Sequence, residues 1–286
     1  MRIDLHTHSS HSDGTGTPAE VVREAAEAGL DVVALTDHDT ASGWEEAHVA
    51  GLERGLTVVP GVEVSCRSQG HSVHVLAYLA DPQVEEFRNE IQRARDARTE
   101  RLVKMADLLI RDGYLGSFED VLQHVDESAT WGRPHLADAL VARGHYVSRD
   151  EAFTGVLSAD SPYYVGHYAP DPVRAVEVIR AAGGVPVLAH PLAGSRGRIV
   201  AEEVIDAMAA AGLAGLEADH RDHTAADRAR AREIAARLGL LITGSSDYHG
   251  TGKPNRLGEN TTTRIAFESI LEQGSGVRPM GAALEA

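Results

Sequence analysis

A single cysteine, Cys66, in 286 residues rules out an internal disulfide and any cysteine-based zinc finger, and it fits a reducing compartment. The chain opens directly on MRIDLHTH, with no basic leader. No uninterrupted apolar run approaches the ~20 residues that a membrane helix needs. The expectation is a cytoplasmic protein with no membrane partner. Basic residues are also scarce: 27 Lys and Arg face 43 Asp and Glu, for a formal charge of −16. That balance argues against a long groove tracking duplex nucleic acid, which normally shows a basic face. It does not argue against a small phosphorylated substrate. With 43% hydrophobic and 24% charged residues, the chain has apolar material for a real core, in one large domain or two small ones.

What is abundant is histidine, at fifteen residues. Six apolar runs each deliver a histidine or carboxylate. IDLHTH carries His6 and His8, VVALTDHD carries Asp37, His38 and Asp39, and TVVPGVE ends on Glu63. VHVLAY carries His74, VPVLAHP carries His190, and LLITGSSDYH carries Asp247 and His249. Imidazole nitrogen and carboxylate oxygen are the ligands of hard and borderline divalent metals, so this pattern reads as a multinuclear metal hydrolase.

The first ~93 residues alternate short strands and helices in a βα rhythm. Ile3–His6, Asp31–Thr36, Thr57–Glu63 and Ser72–Leu79 read as strands. Thr17-Pro18-Ala19-Glu20 supplies an N-cap, a proline at the first helical position and a capping-box glutamate, starting a helix that stops at Gly29. Trp44–Arg54 is a second helix. From about Val84 to Gly166 no good β pattern occurs. A long charged helix over Val84–Asp112 is followed by short ones around Phe118–Val125, Pro134–Ala142 and Arg149–Leu157. The rhythm resumes with helices over Pro172–Ala182, Ala201–Ala211 and Ala225–Leu238, and strands over Val185–Ala189, Gly215–Ala218 and Leu240–Gly244. The last ~30 residues read as irregular, with one short helix near Glu268–Gln273. The expected organisation is a mainly parallel α/β barrel from 1–83 and 167–286, interrupted by a helical lid at 84–166. Most candidate ligands fall at C-terminal strand ends, where such folds keep their working residues. His74 lies early in its strand and stands apart.

His6 and His8, two apart on an extended chain, face the same side and can share one ion. Asp247 and His249 repeat that spacing in glycine-flanked GSSDYHG. Asp13, before Gly14 in HSDG, reads either as a turn aspartate or as a ligand folded back toward the same pocket. Glu63 follows buried residue types and needs a partner, for which bridging two ions serves. His190 precedes Pro191 and reads as a ligand or as a core histidine satisfied by a carbonyl. Three divalent ions among three carboxylates and six neutral imidazoles would leave an island of roughly +3.

DLHTHSSHSDG, LTDHD, GVE, HVLAY, AHP and GSSDYHG, in this order, resemble the PHP (polymerase and histidinol phosphatase) family of metal-dependent phosphoesterases. Residues 1–80 and 185–250 resemble it closely and the helical part more loosely. Within the family the chain is most similar to stand-alone bacterial members acting on nucleotides, the 3′,5′-nucleoside bisphosphate phosphatases and short-RNA 5′→3′ exonucleases; GRPHLADAL (Gly132–Leu140) supports that closer match. The resemblance implies a distorted (βα)7 TIM-like barrel, the PHP fold, holding up to three divalent ions. Mn2+ is preferred, with Fe2+ or Zn2+ as alternatives. It implies a first ion on His6, His8, Glu63 and Asp247, a second on Glu63, His74 and His190, and a third on Asp13, His38 and His249. All nine positions are filled. A water held among Glu63, Asp247 and Asp13 would supply the nucleophile, and no serine or cysteine stands out for that role.

For substrate binding, Arg133 is the candidate clamp for a second phosphate, with His135 beside it; an ordinary helix-start arginine is the rival reading. Arg196 is a candidate for the same anion and His223 for the leaving group, against solvated or surface roles. Trp131, Tyr163 and Tyr164 read as base-stacking residues or as lid packing. His11 is expected outside the ion cluster. The leading expectation is a phosphatase for a small nucleotide. The alternatives are a phosphatase for another metabolite such as histidinol phosphate, a non-catalytic module serving a polymerase, and C–N hydrolysis. No polymerase sequence accompanies the motifs, and Lys253 is the one lysine near a candidate ligand.

Overall fold

The computed structural model describes residues 1–125, 129–194 and 199–283. Seven strands follow one another around a nearly closed barrel in chain order: β1 (Ile3–Asp4), β2 (Val32–Leu35), β3 (Thr57–Ser68), β4 (His71–Tyr78), β5 (Val185–Leu188), β6 (Gly215–Asp219) and β7 (Leu241–Gly244). Neighbours pair in parallel, except that β4 runs antiparallel to both β3 and β5. Between β7 and β1 the closure passes through isolated contacts. Thr7 bridges Tyr248, and the Asp4 carboxylate accepts from the Ser246 and Gly258 backbone at 3.0 and 2.8 Å. Burial pushes the Asp4 carboxyl up to about 6 against those hydrogen bonds.

The reversal of β4 follows from the loop before it. Gln69 and Gly70, both at positive φ, join β3 and β4 in a two-residue turn, and a turn that short makes only an antiparallel hairpin. β3 continues to Ser68, five residues beyond the expected end at Glu63, because the hairpin gives its extension a partner.

Alternate strand residues enter separate apolar clusters, as strand periodicity requires. Val32, Ala34, Leu76, Tyr78, Val185 and Val187 fill the barrel, with Phe267 and Ile270 from α10 (Arg264–Gln273). Val33, Leu35, Val62 and Val64 face outward onto α1 (Pro18–Glu27), α2 (Trp44–Arg54), α7 (Pro172–Ala181), α8 (Glu202–Ala210) and α9 (Ala225–Leu238). The capping box Thr17/Glu20 forms as expected, with Pro18 in the first turn. The irregular tail adds one feature: β8 (Met280–Gly281) lies antiparallel on β3.

Between β4 and α7 run α3 (Glu85–Arg111), α4 (Glu119–Leu122), α5 (Arg133–Ala142) and α6 (Arg149–Thr154); α4 and α6 are shorter than the sequence suggests. Leu102, Met105, Leu109, Val121, Leu136, Leu140, Ala152 and Leu157 form a third apolar cluster with no barrel residue in it. At ~1.5 Å per residue, α3 is about 40 Å long, enough to serve both bodies. Phe87 and Ile91 pack on the barrel, and Leu102, Met105 and Leu109 pack in the helical part. Arg98 and Arg101 lie at the changeover, both buried.

Candidate metal centre

Glu63 sits at the middle of the barrel mouth, 1% exposed. Its Oε2 lies 3.2 Å from His6 Nε2, 3.1 Å from His8 Nε2 and 3.3 Å from His38 Nδ1. Its Oε1 lies 2.8 Å from His74 Nδ1 and 3.3 Å from His190 Nε2. Asp247 Oδ1 stands 3.5 and 3.4 Å from the same His6 and His8 nitrogens. Asp13 Oδ1 is 3.2 Å from His249 Nε2, and its Oδ2 is 3.8 Å from His38 Nε2. All nine expected side chains therefore converge. The donor atoms of eight of them form four overlapping groups compact enough for an ion, His6/Glu63/His190, His6/His8/Asp247, His8/His38/Glu63 and His8/Asp13/His249, while His74 joins through Glu63 Oε1 alone.

Local structure explains how each arrives. Gly14 turns so tightly that a Cβ there would meet the His8 carbonyl oxygen at 2.4 Å, and this turn brings Asp13 back over the mouth. His190 and Asp247 both adopt positive φ, 29° and 54°, which is costly for residues with a Cβ and characteristic of functional sites. The early position of His74 is resolved by the reversal of β4. In an antiparallel strand the first residues lie beside the last residues of the neighbours, and Ala189 N donates to His74 O at 3.0 Å.

The donor set fits divalent ions. His38 Nδ1, His74 Nδ1 and His249 Nε2 are buried without a hydrogen-bond partner, although each has a carboxylate oxygen within 3.3 Å. His6 Nε2 and His8 Nε2 lie 3.1 Å apart. Unpartnered imidazole nitrogens beside carboxylate oxygens, with two further ring nitrogens in mutual contact, suit atoms aimed at common ions. Burial opposes ionisation of Glu63, but His6, His74, His38 and His190 outweigh it and hold the carboxyl well below its usual range. Burial likewise opposes charge on His8, yet Asp247, Glu63 and Asp13 lift it to about 9; Glu63, Glu217 and Asp247 raise His6 well above its ordinary range against burial. Burial dominates for His38 and His249, pushing the latter down to about 4 with help from Lys253 and His8.

A supporting layer escapes the sequence reading. Glu217, fully buried in the middle of β6, accepts from His6 Nδ1 at 3.2 Å, from the His190 backbone at 2.9 Å and from the Ser245 hydroxyl. This orients His6 with Nδ1–H on Glu217 and Nε2 facing the cluster, the nitrogen that would bind an ion once its proton is displaced. His220 Nδ1 accepts from Asp222 N at 3.1 Å, and its Nε2 lies 3.6 Å from Asp247 Oδ2. Lys253 Nζ donates to the same oxygen at 3.2 Å. Asp37 accepts from Ser9 and Ser12, pinning the loop between His8 and Asp13. The signal for Glu217 and His220 was present in GLEADH, buried polar groups closing an apolar run.

Next to the cluster, at the seam with the helical part, four guanidinium groups gather. Arg98 Nη1 donates to Ser65 Oγ at 2.7 Å and lies 3.7 Å from Asp39 Oδ2. Arg101 Nη1 meets His167 Nδ1 at 3.2 Å. Arg133 donates to Leu157 O at 3.0 Å, with Phe153 and Tyr164 rings 5.0 and 5.5 Å from its Cζ. Burial, then Arg101, Arg98, Arg67 and Arg133, drive the His167 imidazole down to about 3, and burial with Arg98 and Arg133 pulls Arg101 below its usual range. Among the described residues Asp39 is the one carboxylate paired with this group.

The other substrate candidates fare unevenly. His135 is buried and its Nδ1 accepts from Gly132 N at 3.0 Å, capping α5. His223 is buried, with Nε2 accepting from Leu192 N at 3.2 Å and Nδ1 donating to Ala218 O at 2.9 Å, so both nitrogens face backbone and neither faces a leaving group. Arg196 lies outside the described residues. Tyr163 donates to Asp112 at 2.8 Å, and Trp131 packs near Phe118 in the helical part, while Tyr164 faces Arg133. His11 Nδ1 meets Ser42 Oγ at 2.7 Å, away from the cluster.

Comparison with known proteins adds four likenesses. A profile of the PHP domain matches residues 4–132. The chain is 35% identical to a 3′,5′-nucleoside bisphosphate phosphatase of Chromobacterium violaceum over 89% of each chain. It is 31% identical to a 5′-3′ exoribonuclease of Haemophilus influenzae over 87% of this chain and 90% of the relative. The crystal structure of a candidate metal-dependent phosphoesterase from Bifidobacterium adolescentis superposes with a TM-score of 0.92 at 43% identity, covering 96% of both chains.

Proposed function

Because the chain belongs to the PHP domain family, we propose that it is a metal-dependent phosphoesterase that hydrolyses a phosphate monoester of a small nucleotide, with preference for one carrying a second phosphate. The substrate is a nucleoside 3′,5′-bisphosphate, a nucleoside monophosphate or the end of a short oligonucleotide. The observation that carries this reading is the adjacency of two centres, a cluster of eight donors with His74 beside Glu63, and a knot of Arg67, Arg98, Arg101 and Arg133 with Asp39 as its one paired carboxylate among the described residues. One suits a reacting phosphoryl group and the other suits a phosphate that stays behind.

His6, His8, Glu63 and Asp247 would hold a first ion, Glu63, His74 and His190 a second, and Asp13, His38 and His249 a third. Mn2+ is the ion proposed, with Fe2+ or Zn2+ compatible with the same donors. Bound there, the ions supply an acidified water as nucleophile and offset the charge that develops on the phosphoryl oxygens. The chain's own side chains do the positioning. Glu217 behind His6, and Lys253 and His220 behind Asp247, fix the direction from which these ligands approach. Asp39 and Ser65 orient Arg98, tying the arginines to the rim that carries His38 and His74. Arg133 and its neighbours would bind the second phosphate bidentately and set the distance to the reacting one.

A steady-state panel with Mn2+ tests the proposal. Nucleoside 3′,5′-bisphosphates, nucleoside monophosphates, 5′-phosphorylated short RNAs and histidinol phosphate are compared by kcat/KM. Preference for a doubly phosphorylated nucleotide is expected. A clear preference for histidinol phosphate would overturn the nucleotide assignment.

A further inference from the structure

The arginine knot lies between the metal centre and a second cavity. Toward the metal centre it continues through Arg98, which reaches Ser65 and Asp39 beside His38 and His74. On the far side Arg101 and His167 also line a cavity of about 600 Å3, walled by one face of α3 and by Gly166–Tyr168. That volume lies within the ~300–1,000 Å3 usual for small-molecule sites. Its floor holds Arg101, 6% exposed, with a buried Nε that has no hydrogen-bond partner. Behind Arg101 there is therefore room for a group larger than a terminal phosphate.

We propose that the cavity between α3 and Gly166–Tyr168 is a binding subsite for a nucleoside esterified to the second phosphate, so that the phosphate held by the arginines is a diester. The ligand class is a 3′-phosphorylated dinucleotide. Its terminal phosphate sits at the metal centre, its internal phosphodiester on Arg98, Arg101 and Arg133, and its first nucleoside in the cavity. This rests on the function proposed above.

The lining suits a neutral, hydrogen-bonding group. Arg93 and Lys104 are balanced by Asp96 and Glu100, with Glu100 3.4 Å from Lys104, and Gln92 donates to Asp96 at 2.7 Å. Arg93 stacks on the Tyr168 ring at 3.6 Å from its centroid and offers a flat surface to a base. The two carboxylates disfavour a further phosphodiester, so a third nucleotide gains nothing. The reaction is unchanged: the oxygen of water bonds to the terminal phosphorus, the bond from phosphorus to the 3′ oxygen breaks, and that oxygen leaves with a proton.

The test compares adenosine 3′,5′-bisphosphate with adenylyl-(3′→5′)-adenosine 3′-phosphate on the full chain with Mn2+. The variants are Ala97→Trp, which fills the cavity from the face of α3, and Arg93→Ala, which removes the stacked surface. Each variant should lower kcat/KM for the dinucleotide about tenfold or more, the loss of one base contact, and leave the bisphosphate within about twofold. Titration calorimetry on metal-free protein should show the same selective weakening of dinucleotide binding. Turnover of the bisphosphate but not the dinucleotide, or equal effects of the variants on both ligands, overturns the subsite. Failure to hydrolyse the bisphosphate at all would sink the proposed function instead, and the calorimetry would still decide the cavity.

Discussion

Replacing Glu217 with glutamine should weaken metal binding without touching a ligand. The carboxylate accepts from three donors: His6 Nδ1 at 3.2 and 3.4 Å, the His190 backbone N–H at 2.9 Å, and the Ser245 hydroxyl. An amide offers one oxygen and one NH2, so at least one buried donor then faces another donor. A buried group left unsatisfied costs about 1–3 kcal/mol. The negative charge that raises the basicity of His6 disappears as well, and loss of such an outer partner typically lowers metal affinity about 10–100-fold, or ~1.4–2.7 kcal/mol. Titration calorimetry of Mn2+ into metal-free protein measures the change directly, and circular dichroism checks the fold. His6, His220 and His190 hold the Glu217 carboxyl down to about 2 despite burial, against 4.5 for the free group. Its stabilising effect is therefore fully present above pH 4.5 and lost only as the pH falls through about 2, so the comparison between wild type and variant should not change between pH 6 and 8. Affinity in Glu217→Gln within a factor of about two of wild type, the scale of a neutral surface change, would refute the reasoning.

Further outcomes follow from the same geometry. Asp13→Ala and His249→Ala should each reduce turnover by about 100-fold or more with the fold intact, as removal of a metal partner does; near-normal rates would remove the third ion from the account. Arg133→Ala should cost doubly phosphorylated substrates about 1.5–3 kcal/mol in kcat/KM, the scale of a charge-assisted contact, and spare monophosphates. Equal losses on both would discard the clamp. Without metal, His8 titrates near 9 and His6 is held above its ordinary range, so ion binding must displace their protons. Mn2+ affinity should therefore rise from pH 6 to pH 9, and a flat profile would contradict the protonation pattern.

Much of this was legible in the residues themselves. Strand-end histidines at two-residue spacing, and a glutamate closing an apolar run, carry a chemical meaning that survives without coordinates. The barrel with a helical interruption followed from the βα rhythm and its loss after Leu79. What stayed hidden depended on direction and depth. The reversal of β4 was encoded in the two-residue turn Gln69-Gly70, but a parallel rhythm was extended across it, leaving His74 without a geometric reason. Arg98 and Arg101 looked like the charged face of a long helix. They fall instead on the stripe of Phe87, Ile91, Ala94, Met105 and Leu109, at spacings of three and four residues. An arginine on an apolar stripe is buried, and a buried guanidinium needs an anion. GLEADH marks Glu217 and His220 as polar groups closing an apolar run, but which ligand each one supports is a contact that sequence spacing does not record.

The most direct trial is a crystal of the chain soaked in Mn2+ and measured at the manganese absorption edge. The account predicts anomalous peaks within bonding distance of Glu63 and its surrounding imidazoles, with Asp13 and His249 on an ion of their own. An empty barrel mouth, or manganese bound elsewhere while those nine side chains stay unliganded, would contradict it.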